Sequence, residues 1–380
     1  MSRQLLEREP PRERARRRPM DGPLLLMVFM LLATGLLALF TASYSNAIYY
    51  NDNGLYYVTR QGVFAVLGIV IMLFTSQINY HIYAKFQKPI FLVSLAMLAI
   101  VPFVGQTRKG ATRWLGIGEL ISFQPSEIMK IAIIISFAYY IARDQKSIRT
   151  FKGLVKPYGL VLVLVAGLLF LEPHMSATMI MFLIGFVMLY VGGMRLWYFI
   201  PILIAAPVAI FGYVHIKPYA MQRILVWLDP WVDFRGDGWQ GAMSAISIGS
   251  GGLWGLGLGQ GRQKHLFLPE PQNDFIFSAL SEELGFIGAT LIMLMFAYVV
   301  FRGFYIARSS RDKFGCLLAT GITAKLGIQT LMNLFVVSGI FPVTGASLPF
   351  FSYGGTALVM QLFEMGVLLN ISRYLVAGSE

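Results

Sequence analysis

The sequence predicts an all-α integral membrane protein of about ten transmembrane helices, with both termini cytoplasmic and a large extracytoplasmic loop between helices 7 and 8. Three observations carry that expectation. Of the 380 residues, 56% are hydrophobic and only 13% charged, with a mean hydropathy of +0.65, whereas soluble domains carry about a quarter charged residues. Uncharged runs such as GPLLLMVFMLLATGLLALF and YGLVLVLVAGLLFL approach the roughly 20 residues that a spanning helix needs. Basic residues, finally, are distributed very unevenly between alternate connecting segments.

Taken in order, the apolar runs place spans near 24–43, 62–78, 89–104, 125–142, 156–171, 175–192, 197–214, 274–301, 315–339 and 355–371. No small-residue cleavage site follows the first run, so it reads as an anchor and not as a signal peptide. The break LEPHMS separates spans 5 and 6, with Pro173 marking a tight reversal. An even count puts both termini on one side. Twenty of the 31 Lys and Arg residues then fall on the side of the N-terminus, four in the short opposite segments (Arg60, Arg108, Lys109, Arg113) and five in the long loop 215–273. The positive-inside rule makes the first side cytoplasmic. Residues 1–20 form a basic tail, 21–373 a polytopic membrane domain, and 374–380 a second short tail.

Topology and the head PRERARRRP account for most of the net charge of +12. The head reads as a disordered orientation signal or as a contact for anionic lipid. No fold signal accompanies it that would indicate nucleic-acid binding. The single cysteine, Cys316, excludes an internal disulfide.

Polarity that carries chemistry concentrates on the outer side: QTRKGATRWLGIGELISFQPSE, the long loop with MQRILVWLDPWVDFRGDGWQ, and the last loop FPVTGASLPFFSYGGTA. The glycine run at 249–261 superficially suggests a nucleotide loop, but no strand precedes it and it lies outside. A close backbone approach or a re-entrant turn, buried in protein, suits it better.

Ionisable residues at membrane depth face a cavity or a partner by default. Lys130 lies one turn after Glu127, on the same face. Either the two form a structural pair, or they offer a cationic site for an anionic headgroup. Lys325, Gln329 and Asn333 make a polar stripe at helical spacing, read as interhelical hydrogen bonding; Glu364 and Gln361 invite the same reading. Asp274 follows Pro271 and opens an apolar run, so it stands at or beside a helix N-terminus. Either it caps that helix, or Asn273 caps and frees it. Ser278, Ser281 and Glu282 share its face and Glu283 points roughly opposite. A helix N-terminus favours the ionised carboxylate, which makes Asp274 a candidate general base.

The segments TRWLGIGELISFQPSEIMKIA, RILVWLDPWVDFRGDGWQ, AISIGSGGLWGLGLGQG, KHLFLPEPQNDFIFSALSEELGFIG and FPVTGASLPFFSYGGTALVMQLFEMGVLLNISR together resemble the SEDS family of shape, elongation, division and sporulation proteins, over residues 20–373. The resemblance implies polymerisation of lipid II into β-1,4-linked glycan strands at the outer face of the cytoplasmic (inner) cell membrane. It carries the family's essential aspartate onto Asp274, as the base for the acceptor 4-hydroxyl, with undecaprenyl pyrophosphate leaving. It carries the QPSE…K motif onto Glu127 and Lys130. Developing negative charge on that leaving group calls for nearby cations, for which Lys130, Arg223, Arg113 and Lys264 are candidates; the last two could equally be snorkelling interfacial residues. Whether magnesium or manganese assists is open, because no metal-ligand cluster shows in the sequence.

Three departures from the family pattern stand out. His174 occupies a usual aspartate position, in a neutral or a protonated form; Asn273 replaces a common threonine; and Ser122 replaces a basic residue of some division-type members. These features lean toward a division or sporulation type over the rod-elongation type. The resemblance also implies a class B penicillin-binding transpeptidase as partner, within a divisome or an elongation or sporulation complex. Competing readings are a lipid II flippase, which should show inverted repeats and polar access from both faces, and a non-catalytic scaffold, which would need no base at Asp274.

Overall fold

The computed structural model describes residues 19–108, 111–117, 121–172, 174–200, 218–234, 236–265 and 267–375. The helices are α1 (Gly22–Asn51), α2 (Tyr56–Thr75), α3 (His81–Lys85), α4 (Gln87–Val104), α5 (Pro125–Arg143), α6 (Gln145–Ile148), α7 (Phe151–Leu154), α8 (Leu160–Leu171), α9 (Met175–Val191), α10 (Pro218–Leu228), α11 (Trp239–Gly251), α12 (Ile276–Ser309), α13 (Lys313–Val337) and α14 (Gly355–Ser372). Among the described residues, eight helical segments are long and apolar enough to cross a membrane, with α7 and α8 counted as one through the π-helical turn Val155–Gly159. The apolar α9, of 17 residues, accompanies them. The expected seventh span, 197–214, falls mostly on 201–217, outside the described residues, as do the tails 1–18 and 376–380. The protein is a multi-pass membrane protein.

Burial sorts the bundle into a centre and a rim. α5 and α13 are 78% buried over their apolar windows and α14 67%, against 22% for α4. The four ionisable groups Glu127, Lys130, Lys325 and Glu364 all sit on the three central helices and are all buried. Exposing any of them to lipid would leave an unmatched charge in hydrocarbon, so charge placement and helix placement are one decision.

The start of α1 adjoins the end of α14. The N–H of Asp21 donates to Ser372 Oγ at 3.1 Å, its Oδ1 caps α1 by accepting from the Leu24 N–H, and its Oδ2 takes Arg302 Nε at 2.9 Å.

Two features refine the all-helical expectation. Residues read as an outer loop form a three-stranded antiparallel sheet, β1 (Gln106–Arg108), β2 (Ala111–Ile117) and β3 (Ile121–Phe123). Their Thr, Trp, Ile and Phe content suits a pleated surface. The second feature is a break in α12 at Gly285, where φ 68° and ψ −170° interrupt the helix.

The glycine run plugs that break. The N–H groups of Leu256 and Gly257 donate to the carbonyls of Glu282 and Glu283 at 3.0 and 2.9 Å, and those of Phe286 and Ile287 donate to Gly252 and Leu253 at 2.8 and 3.2 Å. Backbone groups orphaned by the interruption are thus satisfied by the loop, as irregular backbone at membrane depth demands. Gly255 sits at φ 79°, and a Cβ there would stand 2.1 Å from the Glu283 carbonyl oxygen. Gly255→Ala should therefore combine left-handed strain with a backbone clash and cost on the order of 2 kcal/mol or more. Thermal unfolding in detergent checks this; an unchanged midpoint would mean that the loop does not dock as described.

Candidate functional site

The segment before α12 runs along the last long loop and is held there by its main chain. Three successive carbonyls accept hydrogen bonds: Gln272 from the Tyr353 N–H at 2.8 Å, Asn273 from Ser352 Oγ at 2.6 Å, and Asp274 from Asn333 Nδ2 at 2.7 Å. Gln272 Oε1 also accepts from Asn46 Nδ2 at 3.0 Å. The Asp274 carboxylate lies beside Gly345, whose absent side chain would come within 3.3 Å of Oδ2. Asp274 is half-buried.

Neither expected cap forms. α12 begins at Ile276 with Phe275 flanking it and no side-chain cap. Asn273 Nδ2 instead donates to Glu270 Oε2 at 2.9 Å. The carboxylate of Asp274 is therefore not consumed as an N-cap. The stripe below it does face inward: Ser278 pairs with Ser244 Oγ at 2.7 Å, and Ser281 and Glu282 are buried.

The two glutamates of α12 serve the loop. Glu282 Oε1 accepts from the Arg262 N–H at 2.9 Å, and its Oε2 from the Gln263 N–H at 3.2 Å. Glu283 Oε1 takes Lys264 Nζ at 2.5 Å, with both side chains buried. Lys264 is thus neither a snorkelling interfacial residue nor turned to an outer cavity. Two carboxylates enter this helix because the loop brings them donors.

In the centre, the Glu127–Lys130 pair closes at 2.7 Å, the structural arrangement of the two that the sequence left open. It continues to Lys325, 3.9 Å from Glu127 Oε2, and on to Glu364, 2.7 Å from Lys325. Two lysines and two glutamates thus alternate across α5, α13 and α14, and their formal charges cancel. Gln329 Oε1 accepts from Lys130 Nζ at 3.4 Å, while Gln329 Nε2 donates to the carbonyl and hydroxyl of Ser347 at 3.2 and 3.1 Å. The polar stripe of α13 makes the expected interhelical contacts through Lys325 and Gln329, while Gln329 Nε2 and Asn333 bond non-helical segments instead. A small cavity of about 20 Å³, lined by Glu127, Gln329, Ser347, Ser352, Tyr353 and Gln361 among others, lies between this cluster and the last loop.

A further polar group lies where β2 meets the α8–α9 connection. Arg113, partly exposed, donates Nε to the carbonyl of Glu172 at 3.2 Å, and Gln124 Nε2 stands 3.1 Å from His174 Nε2. Burial first, and then the charges of Arg113 and Lys130, push the His174 pKa down to about 3 against the pull of Glu127. That shift favours the neutral imidazole over the protonated one. Arg223 lies on α10, with its side chain outside the described residues.

The sequence reading passed over Glu172, although a carboxylate closing an apolar run was a visible signal. It is fully buried, and among the described residues neither carboxyl oxygen has a hydrogen-bond partner. Burial raises its pKa from 4.5 to about 8, opposed by Arg113. The sign follows: the folded state holds a proton that the unfolded chain releases above pH 4.5, so stability falls as pH rises from there and levels off beyond about 8. Glu172→Gln should flatten that fall. At pH 7 it should stabilise by on the order of 1–3 kcal/mol, because the amide enters the interior without taking up a proton, whereas the carboxyl must be protonated well above its unfolded pKa. Unfolding midpoints between pH 5 and 9 check both.

Comparison with known proteins agrees with this architecture. Residues 23–376 match the FtsW/RodA/SpoVE family model, described as a cell cycle protein. Stage V sporulation protein E of Bacillus subtilis is 40% identical over 357 residues, covering 93% of this chain and 97% of that one. A probable peptidoglycan glycosyltransferase FtsW of Trichlorobacter lovleyi is 40% identical over 355 residues, covering 93% of each chain. Among solved structures, a chain from a peptidoglycan synthase complex that coordinates polymerization and crosslinking superposes with a TM-score of 0.78 at 26% identity, covering 93% of this chain and 98% of that one. Thermus thermophilus rod shape determining protein RodA gives 0.69 at 25% identity, covering 93% and 97%. The chain belongs to the FtsW/RodA/SpoVE family.

Proposed function

We propose that this protein is a peptidoglycan glycosyltransferase that polymerises lipid II at the outer face of the cytoplasmic membrane, with Asp274 as its general base. The observation that carries the reading is a half-buried carboxylate, not used as the N-cap of α12, on a segment whose three successive carbonyls accept hydrogen bonds from α13 and the last loop. Asp274 takes the proton from the acceptor sugar's 4-hydroxyl as that oxygen attacks the anomeric carbon of the lipid-linked strand. The new C–O bond forms with inversion, giving a β-1,4 linkage. The bond to phosphate breaks, and undecaprenyl pyrophosphate departs with the electron pair.

Charge develops on that pyrophosphate and needs fixed donors near it. Lys130 and Lys264 are each buried against a glutamate, which favours Arg113, partly exposed on β2, as the phosphate contact, with Arg223 a second candidate. Arginine's planar fork suits two phosphate oxygens at once. Among the described residues no group of three or more His, Cys, Asp and Glu side chains converges. A magnesium or manganese ion would find one carboxylate, Asp274, together with the substrate's own phosphate oxygens, a pairing that magnesium commonly adopts; it would supply further neutralisation of the leaving group.

The match to a chain of a peptidoglycan synthase complex supports a penicillin-binding transpeptidase of class B as partner, within a division or sporulation complex. The test is polymerisation of purified lipid II by the protein in detergent, with and without that partner. Glycan ladders support the enzyme. No product under either condition, with lipid II crossing the bilayer of proteoliposomes, would replace this reading with a flippase. No product and no crossing would leave a scaffold.

A further inference from the structure

We propose that Asn333 is a positioning residue for the polymerisation reaction, fixing the Asp274 main chain so that its carboxylate meets the acceptor hydroxyl; the inference rests on the reading of Asp274 as base. Asn333 is fully buried on α13. Its single amide nitrogen donates to two carbonyls, Asp274 and Ala346, each at 2.7 Å. It thereby clamps the strand that enters α12 to the last loop, next to Gly345, the residue that leaves room for the Asp274 carboxylate.

The clamp is seated from below. Gln329, four residues earlier on the same face, holds Ser347 of that loop with two hydrogen bonds and accepts from Lys130. Four residues earlier again, Lys325 sits in the buried ionic cluster. The stripe Lys325–Gln329–Asn333 thus runs from the charge cluster to the carbonyl of Asp274, and each member holds a different neighbour. A purely adhesive stripe would join helix to helix. This one ends on the main chain of the proposed base.

The geometry sets the expected readout. Losing the clamp leaves lipid II binding untouched but lets Asp274 wander, and a displacement of about 1 Å at a reacting group costs on the order of 10²-fold in rate. In the full-length protein with its transpeptidase partner, Asn333→Ala should lower kcat by that factor with KM and lipid II binding unchanged. Asn333→Ser, which keeps one donor, should fall between wild type and Asn333→Ala, and serves if the alanine variant does not fold. Asn333→Asp brings a negative charge beside Asp274, disfavours its ionised form and should move the acidic limb of the kcat–pH profile upward. Folded Asn333 variants with wild-type kcat and an unmoved acidic limb would overturn the proposal. So would a parallel loss of kcat, lipid II binding and thermal stability. Asp274→Asn, run alongside, separates the two readings. If it polymerises normally, the base assignment falls and this inference with it; if it is inactive while Asn333→Ala turns over normally, only the inference falls.

Discussion

Asp274→Asn is expected to abolish glycan polymerisation while leaving the protein folded. The substitution keeps the side chain's size and leaves unchanged the carbonyls of residues 272–274, which accept the hydrogen bonds from Tyr353, Ser352 and Asn333. The side chain caps no helix, so no capping energy is lost. What disappears is a group able to take a proton. A positioned general base contributes roughly 10²–10⁴-fold, and the initial rate should fall by at least that factor. Rates from purified lipid II, read beside thermal unfolding curves, check both halves. A variant that is inactive and also unstable would show that Asp274 holds the fold, which its partial exposure argues against.

The largest stability effects should come from the central cluster. Lys325 and Glu364 are both 1% exposed and 2.7 Å apart. Removing Lys325 leaves Glu364 buried without its counterion, and removing Glu364 leaves Lys325 with only the more distant Glu127; breaking a buried pair costs about 3–5 kcal/mol in comparable cases. Lys325→Ala should be the worse of the two, because it also strips Glu127 of its second cation. The double variant Lys325→Met/Glu364→Leu should recover much of the loss, since an apolar pair of similar volume avoids the desolvation cost altogether. Thermal unfolding of the two singles and the double forms a cycle with a large favourable coupling. Additive effects would show that the pair does not act as a unit.

Much of this architecture was legible in the sequence, because a bilayer imposes a rule that local composition obeys. Nine of the expected apolar spans coincide with helices of the structure, within a few residues at most ends and with larger extensions at α1, α2 and α12. The inward stripe below Asp274, the interhelical contacts of the α13 stripe and the buried docking of the glycine run follow from period and chemistry alone. The break at Gly285 was not legible, since an uninterrupted apolar helix and two half-helices joined by one glycine share the same hydropathy. Capping by Asp274 or Asn273 is displaced by other contacts: Asn273 turns to Glu270, three residues back, and the carbonyls of residues 272–274 are held by the last loop and by Asn333 of α13, which lie far off in the sequence. The fate of the cations depended on partners. Lys130 and Lys264 look like phosphate ligands until Glu127 and Glu283 are seen to hold them, and only three-dimensional proximity shows which carboxylate reaches which lysine.

The most direct test of the central claim measures binding and turnover on one preparation: lipid II affinity and glycan product for Asp274→Asn beside wild type, each with its transpeptidase partner. The account predicts equal affinity, with ladders from wild type alone. Ladders from the variant at the wild-type rate would contradict it.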